Sequence, residues 1–438
     1  MLVKEILKIK NSKLINGKNI NIDHFSINTN DILKKTLFIP LKGNTDGHNY
    51  IINGVNNKIA GFLIEPNHND IIKESLKIND NLIIIEVPDT LKAMQELAKI
   101  TRENLNIPVI ALTGSYGKTT QREMINSVLK QEFKVLTTKG NLNNHIGMPL
   151  TLINYNKEEI ILLELGTNHM GEIAFLRDIC KPTITLITNI GTAHIGNFRN
   201  QKNIFKEKTS IIKGSKYYFK NNDDEILKKI KTKNTNIIDY SIKELDNITY
   251  NNKINYDLKI NNKNYHIVIN SDITYLTNYS LAALKIGLLL NMKIENIIKG
   301  IKNFKSINSR MEKLKIGKHI IIKDCYNASF ETMISGLDHF NKLNTKDKIV
   351  ILGDILELGN KSDKIHKNIA TYIINNNLNF NEYHLVGEKM KKVYELLKRK
   401  NYNAYHYKNV EEINKDILNN HSVYLKASNG IGLSKLLD

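Results

Sequence analysis

Tryptophan is missing from the 438 residues, cysteine occurs twice, and acidic groups are outnumbered, with 44 Asp+Glu against 63 Lys+Arg for a formal charge of +19. Each shortage excludes something. Cys180 and Cys325 lie far apart and outside any Cys-x-x-Cys spacing, so neither a disulfide framework nor a zinc ribbon is available, and a cytoplasmic, reducing setting is expected. Long apolar runs are also lacking. The best one, Leu281 to Met292, is interrupted by Lys285 well short of the ~20 residues a membrane span needs. The first residues, MLVKEILKIKNSK, break their apolar run with lysines and offer no small-residue cleavage site, so no signal peptide is expected. No repeat with a period of about 20 to 50 residues is present. The positive surplus is spread among Ile and Asn rather than gathered into a stripe interleaved with aromatics. It reads as compositional drift, with attraction of small polyanionic substrates as a secondary effect and no nucleic-acid partner.

Hydrophobic residues at 41% and charged ones at 24% are those of a globular protein. At ~150 residues per domain the length suggests about three domains, and a single small module is ruled out. Residues 1–96 mix short apolar runs with polar turns, as a small α/β domain does. Across 97–307, apolar runs end in glycine or polar loops and amphipathic helices follow. The runs Val109–Leu112, Ile160–Leu163 and Ile184–Ile187 predict a mostly parallel sheet covered on both faces. Lys216 to Tyr275, with alternating apolar residues, predicts a β-rich flap at the edge of this domain. Helices are predicted from Tyr279 to Leu290 and from Ile294 to Ile301. A second alternating set, with strands at His319–Ile322, Lys348–Leu352, His384–Val386 and Val423–Leu425, predicts a Rossmann-like domain over 308–438.

Thr113-Gly-Ser-Tyr-Gly-Lys-Thr-Thr120 follows the strand Val109–Leu112 and opens a helix to about Gln131. Glycines at 114 and 117 let backbone N–H groups face a phosphate at the helix N-terminus, where the dipole also favours an anion. Lys118 would reach the terminal phosphates and the Thr119 hydroxyl would ligate Mg²⁺. Leu112 stands where the generic P-loop has its first glycine, so the loop is a shortened variant. Glu164 ends the strand Ile160–Leu163, and His194 lies a few residues past Ile187. Both fall beyond the carboxyl ends of strands, where ligands bind in open α/β sheets, which makes them candidate metal ligands; for Glu164 alone, a solvated charge is the alternative. Gly140-Asn-Leu-Asn-Asn-His-Ile-Gly147 and Gly166-Thr-Asn-His-Met-Gly-Glu172 can hold a pyrophosphate or close a lid, or serve as ordinary loops.

Taken in order, Thr113-Gly-x-x-Gly-Lys-Thr-Thr, Gly140-Asn-x-Asn-Asn, Glu164-x-Gly-x-x-His-x-Gly-Glu172, Asn189-Ile-Gly-x-Ala-His194 and Lys208 resemble the motif series of the Mur ligases, the ATP-dependent amide-forming enzymes of peptidoglycan assembly. Leu41-Lys-Gly-Asn-Thr-Asp-Gly-His48, Asp324-Cys-Tyr-Asn-Ala328 with Met333, and Gly353-Asp-Ile-Leu-Glu-Leu-Gly359 with His366 resemble the branch called the MurF type. That branch joins D-alanyl-D-alanine to UDP-N-acetylmuramoyl-tripeptide. The resemblance covers nearly the whole chain.

It implies three domains: 1–96 for the UDP moiety, 97–307 for ATP, and 308–438 for the dipeptide. It implies an acyl-phosphate mechanism in a cytoplasmic monomer using ATP and Mg²⁺. Lys118, Lys208 and His194 would be catalytic; Thr119, Glu164, His194 and Lys208 would face metal. ATP would be bound by Gly114, Ser115, Tyr116, Gly117, Lys118, Thr119, Thr120, Asn278, Arg310 and Asp324, and substrate by Asn141, Asn143, Asn144, Tyr326 and Asn327. In the family the lysine matching Lys208 is carbamoylated. For a lysine with the ordinary pKa of ~10.4, the neutral amine costs about 4.6 kcal/mol at pH 7, which burial and metal must offset. A solvated lysine-rich helix face is the alternative for Lys208, a linker charge pair for Arg310 and Asp324, and a helix N-cap for Asn278.

Peripheral positions depart from the family. Asn28-Thr-Asn30 replaces Asp-Ser-Arg, Lys426-Ala-Ser-Asn429 replaces Lys-Gly-Ser-Arg, and Ser329-Phe330 replaces Asn-Pro. Ser309 replaces a glycine, and Ser210 stands where glutamate is common. The rival readings are the related ligase that adds the third peptide residue and a decayed, basic, nucleic-acid-binding ATPase-like protein.

Overall fold

A computed structural model of the chain describes residues 1–306 and 309–437, so the division expected between 307 and 308 lies outside the described residues. Three sheets, each mostly parallel, make an α/β protein. In the central one the strand order is Asn236–Tyr240, Tyr217–Asn221, Ile184–Ile187, Val109–Thr113, Ile160–Glu164, Val135–Thr137, and every pair is parallel. Val109–Thr113, Ile160–Glu164 and Ile184–Ile187 are buried at every residue, as continuous apolar runs covered on both faces must be. Val109–Thr113 has Ile160–Glu164 on one side and Ile184–Ile187 on the other. The strand order therefore reverses at it, and a crevice opens beyond its carboxyl end.

The segment from Lys216 to Tyr275 corrects the flap reading. Its first half supplies the two outer strands of the central sheet, Tyr217–Asn221 and Asn236–Tyr240, because Tyr218 and Phe219 are fully buried and pair in parallel with Thr185 and Leu186. Only Leu245–Thr249, Ile254–Ile260 and Lys263–Ile269 form the separate antiparallel sheet. The helix after it runs Leu276–Leu289 and begins before Asn278. The N-cap reading of Asn278 is thus overturned: Tyr275 holds that position, without a side-chain cap.

The amino-terminal sheet is ordered Lys13–Asn16, Ile83–Glu86, Gly61–Ile64, Thr36–Phe38, His24–Ser26, antiparallel only at its first pair. In its Asp46-Gly-His48 turn, Asp46 accepts the His48 N–H (2.9 Å) and faces His48 Nδ1 (2.6 Å), while His48 Nε2 accepts the Glu65 N–H (3.3 Å). His68 stacks on His48 with centroids 4.3 Å apart. Parallel rings put their in-plane lone pairs in separate planes, so this trio braces a turn and is unsuited to sharing a metal. The division expected between 96 and 97 falls inside the helix Thr90–Glu103. That helix ties the first two sheets together, since Gln95 donates to His145 O (2.9 Å) and Arg102 to Cys180 O (2.8 Å) and Lys181 O (3.0 Å).

The carboxy-terminal sheet runs Glu312–Ile316, His319–Asp324, Ser422–Lys426, Lys348–Gly353, Glu382–Val386, Ala404–Tyr407, parallel except for its first hairpin. Its four inner strands are those the sequence predicts. Both edges escape prediction because they bury few side chains, as Glu312–Ile316, with none fully buried, shows. Among the described residues, no helix is long and apolar enough to cross a membrane.

His366 is fully buried in this unit. Its Nδ1 donates to Ser362 O (2.8 Å) and its Nε2 accepts the Ile355 N–H (3.1 Å), which fixes the neutral ring. Burial lowers its pKa below the ordinary 6.5, although Ser362 O, Asp354 and Asp363 pull it upward; Lys389 adds to the lowering. A depressed histidine pKa contributes stability that is complete above the unfolded value and lost as pH falls through the folded one. The thermal midpoint is therefore expected to drop as pH falls below about 6.5. His366→Gln, which keeps an acceptor for Ile355, should drop less; equal slopes in the two proteins would show that His366 carries none of the effect.

Candidate active site

The site begins where Val109–Thr113 ends. Gly117 is left-handed (φ +72°), and a Cβ there would meet the Tyr279 hydroxyl at 1.7 Å; a Cβ at Gly114 would meet Thr188 Oγ1 at 1.8 Å. Only glycine fits either place. The loop is then tied to the end of the next strand. Asn189 Nδ2 donates to Tyr116 O (2.9 Å) and its Oδ1 accepts the Tyr116 N–H (3.1 Å); Thr188 Oγ1 donates to Tyr116 O (2.7 Å), and the Gly191 N–H donates to Ser115 Oγ (2.8 Å). These bonds occupy the outer side of the loop and leave the opening of the helix Lys118–Leu129 toward the crevice.

That crevice is a cleft of about 1170 Å³ between the central and carboxy-terminal units. Of the residues predicted from sequence, Ser115, Tyr116, Gly117, Lys118, Thr119, Thr120, Asn141, Asn143, Asn144, Glu164, His194, Arg310, Asp324, Tyr326 and Asn327 line it. Gly114, Lys208 and Asn278 do not. Lys208 lies directly beneath the loop: its Nζ donates to Gly114 O at 3.0 Å, and Lys118 Nζ donates to the same oxygen at 2.8 Å. Lys208 is only 1% exposed, so the solvated-face alternative fails. Burial pulls its pKa well below 10.5, and the Lys118 ammonium pulls it further, against Glu207. Burial also lowers Lys118, assisted by Arg310 and opposed by Glu164. Asn278 sits in the first turn of its helix, and its buried Oδ1 has no protein partner among the described residues.

Glu164, 2% exposed, is held at both oxygens: Oε1 accepts from Asn143 Nδ2 (2.8 Å), and Oε2 faces Arg122 NH1 at 3.4 Å. Two predicted substrate residues thus have partners within the protein, since Asn144 Oδ1 also accepts the N–H groups of Ile146 (3.1 Å) and Gly147 (2.9 Å). Asn141 is exposed on the cleft rim. Thr119 Oγ1 and the Glu164 carboxylate supply hard oxygen donors beside a phosphate loop, a set that fits Mg²⁺.

From the other wall, Arg310 donates to Thr119 Oγ1 (2.9 Å) and its guanidinium lies over the Tyr326 ring at 4.1 Å. Asp324 accepts from Lys426 Nζ (2.7 Å), so its carboxylate is paired within its own unit, while Arg310 reaches across; the two are not a linker pair. Ser309, in place of the family's glycine, has φ +59°, which explains why glycine is the usual residue and costs about 1–2 kcal/mol here. Two more carboxylates cross over. Glu331 accepts both the Thr192 N–H (2.8 Å) and its hydroxyl (3.0 Å), and the Glu357 carboxylate touches Nδ1 of His194.

Comparison with known proteins fits this geometry. Residues 112–300 match the Mur ligase middle domain, and 309–427 match the Mur ligase, glutamate ligase domain. The UDP-N-acetylmuramoyl-tripeptide--D-alanyl-D-alanine ligase of Rickettsia prowazekii is 31% identical over 445 residues, covering 96% of each chain. The chain belongs to the Mur ligase family. The identically named protein of Bacillus subtilis is 32% identical over 363 residues, covering 79% of this chain and 76% of its own. The fold of this Mur ligase is that of MurF from Acinetobacter baumannii (TM-score 0.85, 24% identity, 99% and 97% of the two chains) and of the Thermotoga maritima MurF ligase in complex with ADP (0.78, 22%, 94% and 96%).

Sequence reasoning missed Arg122, Asn189, Glu331 and Glu357 as individual residues of this Mur ligase site. Arg122 had a signal, because it stands four residues after Lys118 on one helix and so shares its face. Asn189 had a weaker one, being polar two residues after a buried strand and first in the motif that ends at His194. Glu331 meets Thr192 across 139 positions, and no local pattern reports that.

Proposed function

We propose that the chain joins D-alanyl-D-alanine to UDP-N-acetylmuramoyl-tripeptide at the expense of ATP, in cytoplasmic peptidoglycan precursor synthesis. The observation that carries this reading is the cleft in which Lys118, Glu164 and His194 face Arg310 and Tyr326 from another unit, in a chain whose relatives over nearly its whole length bear that name. The terminal carboxylate of the tripeptide attacks the γ-phosphorus, the bond to the bridging oxygen of ADP breaks, and an acyl phosphate forms. The amine of D-alanyl-D-alanine then attacks the acyl carbon, the tetrahedral adduct collapses to the amide, and phosphate and a proton leave. Two anions must meet in the first step, so positioning and charge neutralisation carry the catalysis.

Roles follow from position. The backbone N–H groups of 117–119, which open the helix, hold the triphosphate together with Lys118. Arg310, resting on Tyr326, brings a fixed positive charge to the same phosphates when the units are together. Asn278 offers its unpartnered amide oxygen to the base. The amino-terminal unit takes the UDP moiety and the carboxy-terminal unit the dipeptide, beside Tyr326 and Asn327. Thr119 and Glu164 would hold one Mg²⁺, and His194 with a carbamoylated Lys208 a second; bound there, the metal offsets the negative charge of the phosphates. Carbamoylation is balanced as amine plus CO₂ giving carbamate and a proton. It requires the neutral amine, the form that burial of Lys208 favours. The protein acts as a monomer.

Purified protein with UDP-N-acetylmuramoyl-tripeptide, ATP and Mg²⁺ should release phosphate continuously only when D-alanyl-D-alanine is added. Release driven instead by a single diamino acid on the UDP-dipeptide would favour the ligase that adds the third residue. No acceptor-dependent release would overturn the ligase reading.

A further inference from the structure

His194 sits in a left-handed conformation (φ +57°) at the start of the short helix Ile195–Phe198, with its ring on the cleft wall. What fixes that ring comes from the other unit. The Glu357 carboxylate lies against Nδ1, and the Glu357 carbonyl accepts the Gly196 N–H at 3.1 Å. The approach is close enough that a Cβ on Gly196 would strike Glu357 O at 2.7 Å, and Glu357 itself is held left-handed at φ +63°. Two residues earlier, Glu331 clasps both donors of Thr192, and a Cβ on Gly191 would meet the Glu331 carboxyl carbon at 3.0 Å. The loop 191–196 of the central unit is therefore gripped by the Glu331 carboxylate at one end and by the Glu357 carboxylate and carbonyl toward the other, both from the carboxy-terminal unit.

We propose that Glu357 is a positioning residue that orients His194 across the unit boundary, with Glu331 locking the same loop in register. The inference rests on the reading of His194 given above. The carboxylate meets Nδ1 as a charge contact rather than an aligned hydrogen bond, and its negative charge there favours the ring that carries its proton on Nδ1, which leaves the Nε2 lone pair as the donor available to the cleft. Histidines that bind metals are commonly set in this way, and losing the orienting partner typically costs about 10–100-fold in affinity or activity. Here the partner belongs to a different unit, so His194 is oriented only when the two are together. Amine-side closure and ATP-side geometry thereby become one event. The helix Phe330–Lys342, which carries Glu331, also presents Thr332, Ser335 and His339 to the cleft, so the same grip sets the distance between the two walls.

The first test needs neither metal nor turnover. In ¹⁵N-histidine-labelled full-length protein, the His194 signals, assigned by their loss in His194→Ala, should report a proton on Nδ1; a proton on Nε2 would overturn the proposal. Glu357→Gln should lose that preference, weaken Mn²⁺ binding in the presence of ADP about tenfold, and lower kcat about tenfold with KM for ATP within about twofold. Glu331→Ala should weaken Mn²⁺ binding about threefold. Glu357→Gln and Glu331→Ala both binding Mn²⁺ as the parent does would overturn the proposal, and Glu331→Ala alone decides if Glu357→Gln does not fold. If His194→Ala also binds Mn²⁺ unchanged, the metal reading of the site has failed. If His194→Ala weakens binding while the carboxylate variants do not, only the positioning role of Glu357 has.

Discussion

A Lys118→Ala variant should lose on the order of 10³-fold in turnover, about 4 kcal/mol of transition-state stabilisation, while unfolding no earlier than the parent. Both halves follow from where the amine sits. Its hydrogen-bond partner is a carbonyl, Gly114 O, which Lys208 also uses, and Arg310 is a third cation nearby. Without a triphosphate this crowding is unfavourable, and burial pushes the Lys118 pKa below 10.5. A lysine whose folded pKa is depressed opposes folding while it is charged, so removing it relieves the folded state. Such an exchange of stability for function is typical of groups held ready for an anion. Steady-state turnover and a thermal melt decide it together. Turnover within tenfold of the parent would remove Lys118 from the phosphate site, and a large loss of stability would mean that it serves the core.

The inner strands of the central and carboxy-terminal units were legible because buried parallel strands must be continuous apolar runs, as Val109–Thr113 and Lys348–Gly353 are. Pairing partners were not. Tyr217–Asn221 and Asn236–Tyr240 carry enough Asn, Lys and Asp to resemble a detached flap, and only the burial of Tyr218, Phe219 and Tyr240 shows that they extend the main sheet. The shape of the glycine loop was legible, since Gly114 and Gly117 stand where no side chain fits and the helix opens at Lys118. The cross-unit contacts were invisible, because the grips of Glu331 on Thr192 and Glu357 on His194 join distant elements through side chains that look like solvated surface charges. The +19 charge reads as drift, and in keeping with that the cations about the cleft lie beneath the loop or against partners: Lys208 under Gly114, Arg310 on Tyr326, Lys426 on Asp324.

Lys208→Met and Lys208→Arg should both lose about 10²–10³-fold in turnover, and the agreement between them is the informative part. An ordinary lysine amine is neutral at pH 7 about one time in 2,500, a cost of about 4.6 kcal/mol. Burial beneath Gly114 and the field of Lys118 take away much of that cost by disfavouring the ammonium. If Lys208 acted as a simple cation, arginine would preserve the charge and most of the rate. If it acts as a carbamate, arginine is as ineffective as methionine, because a guanidinium does not take up CO₂. The parent should then slow in CO₂-depleted buffer and recover on addition of bicarbonate, whereas neither variant should respond. A parent indifferent to bicarbonate together with an active Lys208→Arg variant would leave Lys208 as a cation. In that case the crowding of Lys118 and Lys208 on one carbonyl would serve the phosphates directly.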